Sequence, residues 1–256
     1  MSGVRSRASG LRERPGLAGY YAVSGLIVAV FSALWLFEGH YLFTAWFPAL
    51  YDEVTPINGV AAGAFMTLLL ACSLAALVRP RTALGPSKVL LVGAGLLAVL
   101  LPLSLASETP LVTVVLYAVA ATLLVGFVRL HPARASLTPQ TALDYRVLAL
   151  TAVLALPFLP LALEYQWLQL TRTDAVAERW FYGGLSMYLL AILAFLVVSS
   201  VDASSRRFAG AAGVFLAGVL ALVSVVYPAE LHSLGTLGGA GLFVWCVAVA
   251  AVLYRT

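Results

Sequence analysis

Apolar residues run along this chain in eight long stretches, at about 18–38, 58–78, 88–106, 110–130, 146–165, 180–200, 208–228 and 234–254. Each is close to the roughly 20 residues with which a helix crosses a bilayer core of about 30 Å. Barrel strands would alternate apolar and polar residues, and these runs do not. The pattern predicts an all-α integral membrane protein, a bundle of eight transmembrane helices with no room for a separate soluble domain. A basic tail covers 1–17. The first run is longer than a signal core and reads as an anchor.

The runs also pair across the chain. "LFEGHYLF" follows the first and "ALEYQWLQ" follows the fifth, so that Glu38 matches Glu164. "AGAFMTLLLA" in the second matches "GGLSMYLLAI" in the sixth, Gly63 falling on Gly184 and Met66 on Met187. Glu108 and Glu230 both occupy the last loop of a half. This predicts two tandem four-helix repeats, 18–130 and 146–256, joined by a linker at 131–145. An even number of spans gives both halves one orientation, hence a two-fold axis along the membrane normal. Gly59 and Gly63, Gly235 and Gly239, and Ala209, Gly213 and Ala217 lie four residues apart, a spacing that lets helix backbones approach closely in lipid. Pro157 and Pro160 interrupt the fifth run, which is expected to bend there and not to face lipid all round.

Composition agrees with lipid as the solvent: 62% of residues are hydrophobic and 10% charged, and mean hydropathy is +1.00. A soluble domain has about a quarter of its residues charged. The net charge of +4 is no nucleic-acid signal, because the bases are sorted. Of the fifteen, all but Arg172 and Arg179 fall on one side of the alternating spans. The positive-inside rule then puts both termini in the cytoplasm and the chain in the cell membrane. Cys72 and Cys246 fall within spans and read as small packing residues.

Candidate chemistry concentrates on the other, outer side. Glu38, His40, Glu108, Glu164, Gln166, Glu230 and His232 form a polar set there, among an aromatic belt of Tyr41, Trp46, Tyr165, Trp167, Trp180 and Tyr182. Carboxylates with imidazoles can bind a divalent cation or pass protons. Charge sorting alone also drives acids outward. Glu164, soon after Pro160, is expected to be less exposed than Glu38. Asp202 and Arg206 read as a solvated i,i+4 ion pair.

The histidines sit at span ends or in loops, without the opposed internal pairs a b-type haem needs. The one lysine, Lys88, opens a span and is no retinal anchor. No GxSxG, HExxH or phosphate-loop motif is present, and no cofactor is expected. Three readings stay open: a transporter or permeation protein with an outer-facing acidic cavity, a non-catalytic membrane subunit or scaffold, and an outer-face enzyme acting on a lipid or using a metal. Expected partners are the lipid bilayer and a homo-oligomer or membrane complex.

Overall fold

The computed structural model describes residues 15–47, 56–105 and 110–255. Eight long helices follow one another: α1 Pro15–Leu34, α2 Pro56–Val78, α3 Leu84–Leu105, α4 Pro110–Leu130, α5 Tyr145–Thr171, α6 Phe181–Val201, α7 Arg206–Val226 and α8 Gly235–Arg255. All eight segments are long and apolar enough to cross a membrane. No strand occurs among the described residues. Single turns of helix lie at Tyr41–Thr44, Arg134–Leu137 and Ala175–Glu178. The spans expected from the sequence match these helices apart from their ends.

Each group of four helices closes on itself. α1 packs on α2, α2 on α3, α3 on α4 and α4 back on α1. The same order holds for α5 to α8. Tyr20 ties the first ring by donating its hydroxyl to the Ala76 carbonyl at 2.8 Å. Trp245 closes the second, its indole donating to the Leu150 carbonyl at 3.1 Å. These polar side chains find protein acceptors because the bilayer core offers none.

The two groups meet along a seam built from α2 and α3 on one side and α6 and α7 on the other. Phe65, Leu69 and Phe195 are fully buried there. Gly93 of α3 lies where the contact is tightest. A Cβ there would come within 2.5 Å of Leu69 and 3.2 Å of Phe195. Small residues have the expected role elsewhere. At Gly239, a Cβ would stand 2.7 Å from the Ala221 carbonyl oxygen and 3.1 Å from the Val225 nitrogen, so α7 and α8 touch backbone to backbone.

α1 does not stop cleanly. Its last turn widens into a π turn over Trp35–Gly39, with the His40 N–H reaching the Trp35 carbonyl five residues back at 3.3 Å. The Trp35 indole donates to Thr67 of α2 at 2.9 Å. The chain then lays the turn Tyr41–Thr44 on α2, where Gly63 leaves no room for a side chain against the Leu42 backbone.

α5 runs unbroken through Pro157 and Pro160. It buries Val147, Leu154, Phe158 and Ala162 and exposes Leu156, Leu163 and Trp167. As expected, it does not face lipid all round.

Candidate functional site: polar clasps at the two ends of the seam

The chain has one asparagine and one lysine. Both are buried, and each reaches from the first group of helices to a partner in the second. They mark opposite ends of the seam.

At one end, Lys88 in the first turns of α3 is 6% exposed and Asp202, just past α6, is 2% exposed. The ammonium donates to Asp202 Oδ2 at 2.6 Å, to the Ser204 hydroxyl at 2.6 Å and to the Thr138 carbonyl at 3.3 Å. Asp202 also accepts from the Gln140 N–H at 3.0 Å, from the Ser204 hydroxyl at 2.9 Å and from the Ser205 hydroxyl at 2.7 Å. Burial disfavours the carboxylate charge. The Lys88, Ser205, Gln140 and Ser204 donors outweigh it and hold the carboxyl well below its usual range.

The chain after α4 is thereby docked. Its backbone bonds to the end of α6 through Ala142 N to Val201 O at 3.0 Å and Asp144 N to Ser200 O at 2.7 Å. The sequence reading of Asp202 with Arg206 is corrected here. α6 ends at Val201 and α7 begins at Arg206, so the two residues do not share a helix face. Arg206 instead approaches Asp144, 3.9 Å away, and bonds to the Ser199 and Ala142 carbonyls.

His131 stands close by, buried against Tyr20 and Phe127 with ring centroids 5.2 and 5.3 Å apart. Its Nδ1 accepts from the Ala133 N–H at 3.1 Å, which leaves the ring proton on Nε2, facing the Ser87 hydroxyl at 3.4 Å. Burial lowers its pKa.

At the other end, Asn58 in the first turn of α2 is 7% exposed, and its amide nitrogen lies 2.9 Å from His232 Nδ1. His232 belongs to the α7–α8 loop and is 9% exposed. Its ring meets Tyr165 and Tyr182 edge to face, at centroid distances of 4.9 and 5.3 Å. With the amide donating to Nδ1, the ring proton sits on Nε2, which is buried and has no hydrogen-bonding partner. Burial pushes the imidazole pKa down to about 4, so the ring is neutral at pH 7.

Among the described residues, two non-glycine residues have left-handed backbones, Trp180 (φ 66°) and His232 (φ 70°), and both lie at this end. Such conformations cost of order 1 kcal/mol or more and persist where the surroundings fix them. The Trp180 indole nitrogen is likewise buried without a hydrogen-bonding partner.

The polar set expected from the sequence reaches this end only in part as a cluster. Glu38, in the π turn, is exposed. His40 is half-buried beside Tyr41, ring centroids 4.1 Å apart. Glu164 and Glu230 are exposed, and Gln166 is half-buried. Glu108 lies outside the described residues. Glu164 and Glu38 both fall among the exposed residues. Glu164 points away from the buried side of α5, which carries Phe158, Ala162 and Gln169.

Gln169 has the polar role at this helix end. It donates to the Ala177 carbonyl at 2.9 Å and accepts from the Gly183 N–H at 3.0 Å, fastening the α5–α6 loop. Asp174 caps the turn Ala175–Glu178 through the Val176 and Ala177 N–H groups. Among the described residues, no three of His, Cys, Asp and Glu gather as a metal-binding group.

Asn58, Tyr165 and Tyr182 were not among the candidates. The tyrosines resemble interfacial aromatics, and a single asparagine at a span start resembles a cap. Uniqueness in the sequence was the one available signal. No family model, no curated protein and no solved structure matches this chain.

Proposed function

We propose that this is a non-catalytic membrane protein, a rigid embedded subunit that binds or organises other membrane components. The observation that carries this reading is the filled seam. Phe65, Leu69 and Phe195, packed together around Gly93, occupy the surface that an alternating-access protein would have to open. The clasps work in the same direction, because parting Lys88 from Asp202 leaves two buried charges without a counter-charge. A buried Glu164 would have supported a proton or cation handle, and it is exposed.

One observation favours a second reading, permeation between the two groups of helices. The Asn58–His232 pair lies across the seam and leaves a buried imidazole nitrogen unpartnered. In that reading Glu38, His40, Glu108, Glu164, Gln166, Glu230 and His232 form the approach to the path.

Leu69→Cys, with Cys72 and Cys246 replaced by serine, separates the two. In membranes, a small water-soluble methanethiosulfonate should leave the thiol unmodified until the protein is denatured. Modification in the native state would sink the closed seam and support permeation.

We read the two groups of helices as repeats about an axis along the membrane normal. Each packing contact within α1–α4 has its counterpart within α5–α8, and α2 on α7 is mirrored by α6 on α3. An experimental structure whose halves overlay only after inversion would overturn this. With the basic end facing the cytoplasm of a cell membrane, an impermeant thiol reagent on whole cells reaches Thr173→Cys and misses Ala135→Cys. The opposite labelling reverses the orientation.

A further inference from the structure

A cavity of about 340 Å³ opens at the Lys88 end of the bundle. Gly85 and Pro86 from the start of α3 line it, together with Ser204, Arg206, Arg207 and Phe208 around the start of α7. It therefore sits where two spanning helices leave the hydrocarbon, at headgroup level. The neighbouring charges are unequally used. Lys88 is neutralised by Asp202. Arg206 is held by the Ser199 and Ala142 carbonyls, with Asp144 at 3.9 Å. Arg207 is exposed, and no ion pair among the described residues engages it.

The cavity thus has one guanidinium fixed in place and one uncompensated guanidinium on its rim. The first-turn N–H groups of α7, which no helix can satisfy internally, add to the positive potential. Phe208 and Pro86 give it an apolar side. Gly85 keeps the two helix ends together, since a Cβ there would come within 2.8 Å of Phe208.

We propose that this cavity binds a phosphate group, and specifically the headgroup phosphate of an anionic phospholipid. Arginine is suited to this role because its planar fork grips phosphate oxygens in pairs. A phosphodiester with its glycerol root fits a site polar on one side and apolar on the other. Basic pockets between spans at the cytoplasmic surface hold anionic headgroups by this chemistry. The proposal is independent of whether the seam is closed or opens.

The test is native mass spectrometry of the full chain in detergent, titrated separately with phosphatidylglycerol, phosphatidylcholine and inorganic phosphate. The wild type should retain phosphatidylglycerol in preference to phosphatidylcholine. Arg207→Gln should weaken that retention about fivefold, the effect of one surface guanidinium on an anionic lipid. Arg134→Gln, a basic residue of the same end outside the cavity, should leave it unchanged. Equal retention by the wild type and Arg207→Gln, or an equal loss in Arg134→Gln, overturns the site. Arg207-dependent binding of inorganic phosphate with no preference among the lipids would assign the cavity to the free anion and overturn the lipid reading.

Discussion

A lysine and an aspartate buried together are costly to separate. Removing one partner of a buried pair typically costs about 3–5 kcal/mol, whereas replacing both is far cheaper. Lys88→Met should therefore destabilise the protein by about that amount, measured by unfolding in mixed micelles. Lys88→Met combined with Asp202→Asn should recover most of the loss, since the asparagine oxygen still accepts from Gln140 and Ser204 and its amide nitrogen can donate to the Ser205 hydroxyl. Equal damage in the single and double variants would mean that the pair does not act as a unit.

His232 gives a pH signature. Its folded pKa of about 4 lies below the ordinary 6.5, so the unfolded chain binds the proton more readily. Stability is unaffected above pH 6.5 and falls as pH drops from there to about 4, with a limiting slope of about 1.4 kcal/mol per unit. His232→Gln should flatten that part of the profile. A variant profile parallel to the wild type would contradict a buried neutral imidazole at His232.

Neither partnership was legible in the sequence. Lys88 and Asp202 stand 114 positions apart, and Asn58 and His232 stand 174 apart. Local spacing instead suggested Asp202 with Arg206, which fails because a helix ends between them.

The eight helices were legible because lipid makes a strong demand: about 20 apolar residues and no unpaired backbone. The faces they turn to one another were not. α6 is apolar on every side, so its pattern does not tell seam from lipid. Glycine gave the better cue, and not every glycine counts. Gly239 meets the α7 backbone, whereas Gly241, two residues on, has nothing within 4 Å of its would-be Cβ.

Gly239→Ala should thus cost about 1–3 kcal/mol by forcing α7 and α8 apart. Gly241→Ala should be neutral or stabilise by up to about 1 kcal/mol through helix propensity. The pair is read by comparing unfolding of the two variants, and equal effects would place the close contact elsewhere. The π turn at Trp35–Gly39 had no such cue. "FEGHYLF" resembles a helix reaching the interface, and the widened turn follows from fitting Trp35 to Thr67 and Leu42 over Gly63, a tertiary demand.

In the proposed reading of the whole molecule, the two groups of four helices are held in a single arrangement by a filled seam clasped at both ends. Alternating access would require the two ends to open in turn, by opposite changes in distance. Spin labels at exposed positions read this directly. Phe37 and Leu237 mark the His232 end, and Val78 and Tyr254 the Lys88 end, one residue of each pair in each group. Double electron–electron resonance on the protein in nanodiscs should give, for each pair, one narrow distance distribution that is the same at pH 7.5 and pH 5.5. Two populations at either end, or distances that lengthen at one end as they shorten at the other, would contradict the fixed bundle and establish a protein that opens along its seam.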